Sequence, residues 1–422
     1  MSNEEMQEAS HKDGRVIVGL DIGTTKICVI AAEASRDGDF RVIGFGESRS
    51  VGLKRGVVTD IQSAVKSIKE AIEECQLRSG IEINDVYAGI AGRHILGLNN
   101  NGVVAVTGET ITESDIRRVI ESAKATNEPD KEILHTLTQE YIVDGQDGVN
   151  NPIGMAGRRL EARVHIIMGS ITSAANIVQC CRNAELNVRD IVLEPFASSI
   201  AVLEEEEKEL GVVLLDIGGG TSDMVIYKNG SVVHTSVLAL GGNQMTNDIA
   251  IGLNTTKAEA LRIKHEQGTA LVSKVQKGEI LTLKGIAGRD VRLINKRILA
   301  EVIEARFREI FQMIQIKLDN SGFRLSCGAG VVLTGGSSLL KDIDKLAEEV
   351  MGMPVRIGSP SKIKGLSDLV ESPKYSTAIG LIRYGIDMDL ERTFLKDNTD
   401  NILTSVAQSF KKLVKIFFGS FQ

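Results

Sequence analysis

Twice along this chain an apolar run ends in the same way: Val16-Ile-Val-Gly-Leu20 enters Asp21-Ile-Gly-Thr-Thr25, and Gly211-Val-Val-Leu-Leu215 enters Asp216-Ile-Gly-Gly-Gly-Thr221. Each is followed by renewed strand character, Lys26 to Ala32 and Met224 to Tyr227. Short apolar runs bounded by glycine turns are the pattern of buried strands. Repeating strand, Asp-Ile-Gly and strand halfway along predicts two related α/β halves. A third strand-turn, Gly330-Val-Val-Leu-Thr-Gly-Gly-Ser-Ser338, lacks the acid.

Residue types in these loops point to one chemistry. Glycine lets a backbone turn tightly and aim its N–H groups at phosphate oxygens. Threonine hydroxyls add donors. An aspartate at the strand end repels phosphate but suits the waters of a Mg2+ that bridges phosphates. Two such loops facing one another make a clamp on a triphosphate. Gly23, Thr24, Thr25 and Lys26 form one jaw, and Gly218, Gly219, Gly220 and Thr221 the other. Gly241, Gly242 and Asn243 open a helix nearby in sequence, and Gly335, Gly336 and Ser337 suit a wall against a nucleoside. One such loop alone is ordinary turn geometry; three of similar form are not. No G-x-x-x-x-G-K-[ST] or G-x-G-x-x-G motif is present, histidines lack metal-ligand spacing, and no serine has a nucleophile elbow.

Composition removes other classes. The net charge of -7 leaves no basic excess for nucleic-acid phosphates, and Trp is absent, so a nucleic-acid partner is not expected. Five cysteines, none in a C-x-x-C pair, fit a reducing compartment. No run approaches the roughly 18 apolar residues that span a bilayer.

The chain is expected to divide as follows. Residues 1–14 form a polar, disordered leader, and 15–85 and 169–205 the core of a first lobe with its connecting helix. Residues 86–168 form an inserted α+β unit, 206–385 the second lobe, and 386–401 a polar linker. Asp60 is placed to cap a helix with Ile61, Val65, Ile68 and Ile72 on one face. Within the insertion, Gly97–Gly102 and Gly145–Gly157 read as loops. A helix is expected from Pro195 to about Glu207, and another over Ser376 to Tyr384.

Residues 402–422 stand apart. On a helical wheel Leu403, Val406, Phe410, Leu413, Val414, Phe417, Phe418 and Phe421 make one apolar arc, with Lys411, Lys412 and Lys415 opposite and on its shoulder. No acidic residue occurs from Ile402 onward. Such a segment is expected to lie in a membrane interface, its lysines worth about 1 kcal/mol each against anionic headgroups.

Five pieces in order resemble the actin/Hsp70/sugar-kinase superfamily: Gly19 to Thr25, Leu193-Glu-Pro-Phe-Ala-Ser-Ser-Ile-Ala201, Leu215 to Asp223, Leu333-Thr-Gly-Gly-Ser337, and Thr377-Ala-Ile-Gly-Leu381. The resemblance implies an actin-like two-lobed ATPase fold, duplicated ribonuclease-H-like domains around an ATP cleft, with connecting helices crossing at Ala378 and Gly380. The inserted unit with Gly89-Ile-Ala-Gly-Arg-His-Ile95, together with the tail, most resembles the FtsA family of bacterial division proteins. That resemblance implies ATP and Mg2+ as cofactors, self-association into filaments, and anchoring of the tubulin-like protein FtsZ and other division proteins. Its location would be the cytoplasmic face of the inner membrane at the division site. Asp216 would organise Mg2+ with Asp21 assisting, Glu194 would orient water, and turnover would be weak. One position departs from the family pattern: Leu261 stands where an acid is usual and Glu259 is out of register, leaving Lys264 as the expected nucleoside contact from that helix. The alternatives are a sugar or acetate kinase of the same fold, or a pilus-assembly relative without the membrane tail.

Overall fold

A computed structural model describes residues 15–398, apart from 36–37, 127 and 285–290. The leader and the tail, including Val406, Phe410, Lys411, Lys412, Leu413, Val414, Lys415, Phe417 and Phe418, lie outside the described residues.

The first lobe begins with β1 (Arg15–Ile22), β2 (Lys26–Ala34) and β3 (Phe40–Arg49), then a small hairpin of β4 (Leu53–Lys54) and β5 (Val57–Val58), helix α1 (Ile61–Ser79) and β6 (Asp85–Ile90). The inserted unit holds β7 (Leu96–Ala105), α2 (Glu113–Ala123), β8 (Lys131–Val143), β9 (Gln146–Val149) and β10 (Arg159–Ser170). Helix α3 (Ile171–Asn183), β11 (Asn187–Leu193) and α4 (Glu194–Val202) return to the first lobe, and α5 (Glu205–Leu210) leads out of it. The second lobe follows with β12 (Val212–Ile217), β13 (Ser222–Lys228), β14 (Ser231–Leu238), α6 (Gly242–Gly252), α7 (Lys257–Gln267), β15 (Ile280–Leu283), β16 (Arg292–Asn295), α8 (Lys296–Ser321), β17 (Val331–Thr334), α9 (Ile343–Met351) and β18 (Val355–Ile357). Strand β19 (Lys364–Gly365) and helix α10 (Ser376–Asn398) cross back to the first lobe.

The two lobes share one topology. The first sheet has the order β11-β6-β1-β2-β3-β19 and the second β14-β13-β12-β17-β18. In each, the strand that ends in Asp-Ile-Gly pairs antiparallel with the strand after the turn and parallel on its other side, β1 with β2 and β6, β12 with β13 and β17. Both Asp-Ile strands are almost wholly buried, which is why they read as continuous apolar runs. Helix α1 carries Ile68, Ile72 and Cys75 into the first core, and the Asp60 carboxylate accepts from the N–H groups of Gln62 and Ser63 as its cap.

Four expectations need correction: within Gly145–Gly157, also expected as a loop, Gln146–Val149 form strand β9 paired with β8. Gly97–Gly102 is not a loop but lies within β7, paired along β10. Its glycines serve close approach: a Cβ on Gly97 would lie 2.1 Å from Thr235 Oγ1, and one on Gly102 2.0 Å from Val119 O. The helix expected from Pro195 to Glu207 breaks at Leu203, whose backbone is extended, and restarts after Glu204 as α5. The linker expected at 386–401 is helical through Asn398 as part of α10. Its acidic residues masked the continued helical spacing of Ile386 and Leu390, which follow Ile379 and Ile382 into the core beneath the first sheet.

Candidate functional site

The first Asp-Ile-Gly turn is closed by its own strands. Asp21↔Cys28 and Ile22↔Ile27 pair across β1 and β2, leaving Gly23, Thr24 and Thr25 at the tip. Lys26 Nζ lies 2.6 Å from Asp21 Oδ2 and 5.4 Å from the centroid of the Tyr375 ring. Burial opposes the Lys26 charge, but the Asp21 carboxylate outweighs it and holds the ammonium above the usual lysine range. Lys26, expected in the phosphate jaw, is thus paired with Asp21, expected to assist at Mg2+.

The second turn repeats the construction with Ile217↔Ser222 as its last pair. Asp216 Oδ2 accepts from Ser198 Oγ at 2.6 Å and Thr377 Oγ1 at 3.4 Å, one hydroxyl from each connecting helix. Gly335, at φ +84°, passes so close to this carboxylate that a Cβ would sit 2.3 Å from Asp216 Oδ1. Burial raises Asp216 to about 6 despite the Ser198 bond. Asp223 stands directly across the ladder from Asp216; its Oδ2 accepts from Thr221 Oγ1 at 2.8 Å, and its Oδ1 is buried with no hydrogen-bond partner. Burial pushes its carboxyl up to about 8.

Glu194 opens α4 and rests on Gly89, where a Cβ would be 2.9 Å from Glu194 Cγ. Burial first, then the charges of Asp21, Asp223 and Asp216, push its carboxyl well above the ordinary range. Four carboxyls thus face one another with Lys26 as the cation among them. Such a set favours the protonated form of its members, and no three of them converge as a direct metal site among the described residues. From the inserted unit, buried His135 fixes the approach to Glu194, its Nε2 accepting from Leu193 N at 3.0 Å.

The jaws meet. A Cβ on Gly219 would fall 1.9 Å from Thr25 Oγ1 and one on Gly220 2.6 Å from Thr24 Oγ1. Behind them, Gly218 O accepts from Gly242 N and Ser337 Oγ, each at 3.0 Å, and Gly219 O from Asn243 N at 2.8 Å. Gly241 is wedged above the same loop, 2.6 Å by its would-be Cβ from Gly218 O, and Gly336 lies beside Lys374. Lys264 Nζ reaches Gly242 O at 3.2 Å and Thr246 Oγ1 at 3.1 Å, and burial lowers it to about 8. Glu259 turns away, bonded to Arg262 and to Lys284 N, while Leu261 is exposed. Every site residue expected within 15–398 lies in this one cluster. With the jaws in contact, anything the size of a triphosphate requires the lobes to part about the crossing of α4 and α10.

Sequence reading missed four residues here. Ser198 and Thr377 were visible only as small residues on two helices, since their bond to Asp216 spans 18 and 161 positions. Asp223 carried a signal, an acid inside an apolar strand. Gly89 was legible only as part of the family-like segment Gly89 to Ile95, because its purpose is the space it leaves for Glu194.

Asp223 yields a pH prediction. A carboxyl raised from 3.8 to about 8 keeps a proton that the unfolded chain has lost, so its contribution to stability falls as pH rises through that window. Asp223→Asn has no proton to hold. Its melting temperature is expected to exceed that of the parent by a margin that widens from about pH 5 to about pH 8. A constant or shrinking margin in thermal melts across that range would contradict the assignment.

Comparison with known proteins fits this geometry. A family model described as cell division protein FtsA matches residues 213–380, and one described as the SHS2 domain inserted in FtsA matches residues 92–168. The chain is 45% identical over 379 residues to cell division protein FtsA of Pseudomonas aeruginosa, covering 90% of this chain and 91% of that one. It is 43% identical to FtsA of Neisseria meningitidis, covering 87% and 89%, and 38% identical to FtsA of Escherichia coli, covering 90% and 92%. Among solved structures, the PilM-PilN type IV pilus biogenesis complex superposes with a TM-score of 0.64 at 16% identity, covering 88% of this chain and 98% of that one. MreB 5 of Spiroplasma citri bound to AMPPNP does so with 0.56 at 14%, covering 91% and 99%. These structural likenesses establish an actin-like two-lobed fold, with the inserted unit in the first lobe. The sequence relationships go further: this chain belongs to the FtsA family of cell division proteins.

Proposed function

We propose that the chain is a nucleotide-switched membrane tether of the division site. Mg-ATP bound between the lobes governs its self-association into filaments, the segment 402–422 holds it to anionic lipid at the cytoplasmic face of the inner membrane, and its surface recruits FtsZ and other division proteins. One observation carries the nucleotide part: two Asp-Ile-Gly turns from duplicated lobes close on each other beside a cluster of carboxyls.

Asp223 Oδ1 lacks a partner, and the Asp21 and Asp216 carboxylates together exceed the charge that Lys26 balances; no three carboxyls converge as a direct metal site among the described residues, so a cation would be held through water. Asp216 and Asp21 would hold Mg2+ through water, and the ion would supply charge against the phosphates. Thr24, Thr25 and the N–H groups of Gly218 to Thr221 would bind phosphate oxygens. Gly335, Gly336, Ser337 and Lys264 would border the nucleoside.

The tether is tested by sedimentation with vesicles containing phosphatidylglycerol. The full chain is expected to pellet with them and to carry FtsZ filaments along, whereas a chain lacking 402–422 stays in the supernatant. Pelleting of the shortened chain would remove the membrane role from this segment.

A further inference from the structure

The hairpin β4–β5 is turned by two residues, Arg55 and Gly56, with φ of 52° and 75°. A two-residue turn with both φ positive is well served by Asn-Gly or Gly-Gly; a long branched-off side chain at its first position is held against its backbone preference. Arginine therefore gives the turn itself nothing. What the turn touches accounts for it better. The N–H of Gly56 donates to Thr24 Oγ1 at 3.0 Å. A Cβ on Gly220 would lie 3.0 Å from Arg55 Cα, and one on Gly92 3.3 Å from Arg55 O. The two-residue turn thus abuts the jaw of the first lobe through Gly56, and the jaw of the second and the strand end that leads into the inserted unit through Arg55.

The charges nearby create a demand for it. The Asp21 and Asp216 carboxylates repel a polyphosphate, and the cations close to them are engaged elsewhere. Lys26 is bound to Asp21, and Lys264 to Gly242 O and Thr246 Oγ1 on the nucleoside side. The Arg55 side chain is exposed and has no carboxylate partner among the described residues. Its planar fork of donors matches two oxygens of one phosphate.

We propose that Arg55 reads the terminal phosphate of a bound nucleoside triphosphate. A third phosphate lying between the parted jaws comes within reach of the guanidinium, and a diphosphate leaves it in solvent. The inference rests on the nucleotide reading above and adds the residue that separates the two nucleotide states.

The test is equilibrium binding of AMPPNP and of ADP, each with Mg2+, to the full chain and to Arg55→Asn and Arg55→Lys. Arg55→Asn is expected to weaken AMPPNP by at least about tenfold, the worth of a charge-assisted hydrogen bond, and to leave ADP unchanged. Arg55→Lys should fall between, since a point charge replaces a fork. Thermal unfolding of Arg55→Asn should match or exceed the parent, because asparagine suits the turn, and this separates lost recognition from lost structure. Equal weakening of both nucleotides, or of neither, would overturn the role of Arg55 while leaving the nucleotide site standing. A parent chain that binds neither would overturn the nucleotide reading and this inference with it.

Discussion

Gly380→Ala is expected to lower the free energy of unfolding by about 3 kcal/mol, the upper end of what overpacking costs. The two connecting helices cross at this glycine, and a Cβ there would sit 1.8 Å from Ala197 O and 2.3 Å from Ala197 C. Those atoms are backbone within α4, so no rotamer change relieves the overlap; the helices must separate. Separation is resisted on the other side as well, where α10 lies against β1 and a Cβ on Gly19 would meet Ala378 O at 2.6 Å. The same crossing brings Ser198 and Thr377 to Asp216, so the variant should also loosen the jaws. Denaturant unfolding should show a lower midpoint at unchanged slope. Gly108→Ala is the control, since its nearest neighbour is Thr110 O at 3.6 Å and its φ is ordinary; its midpoint should not fall. An unaltered midpoint for Gly380→Ala would mean that the helices do not meet this closely.

How far such features can be read from sequence depends on whether their cause is local. The paired Asp-Ile strands are fully buried and end in glycine turns, so their apolar runs and punctuation lie within a few residues of one another. The Asp60 cap is equally local. Gly380 was legible as a small residue in a helix resembling a known connector, which located the crossing. Other features depend on partners far away in sequence. The glycines of β7 read as loop residues because the elements that need the space, Thr235 and Val119, belong to another lobe and another helix. The continuation of α10 was hidden because its charged residues obscured the apolar positions Ile386 and Leu390. Arg55 is legible only after folding, since nothing in Lys54-Arg55-Gly56 reveals that two phosphate-type turns will close upon it.

Asp216→Asn is expected to abolish nucleotide-dependent assembly while leaving the fold intact or firmer. The substitution keeps the shape and retains an oxygen that can accept from Ser198 Oγ and Thr377 Oγ1, so the link between jaw and connecting helices survives. It also removes a carboxyl raised by burial from 3.8 to about 6. That carboxyl contributes least to stability above about pH 6, where the folded protein must hold a charge in a buried site, so the variant should melt no lower than its parent there. What is lost is the negative charge facing Asp21, Glu194 and Asp223, and with it a ligand for the waters of a cation. Loss of an outer ligand of this kind weakens binding by about 10- to 100-fold, so Mg-ATP affinity should fall by that factor and filaments on lipid should no longer respond to ATP. The informative result is the combination, because a destabilised protein and an unswitched one both fail to assemble. A variant that melts like the parent yet neither binds nor assembles identifies Asp216 as the point where nucleotide state enters the molecule. A variant that assembles with the parent's dependence on Mg2+ and ATP would move that role to another of the four carboxyls, Asp223 first.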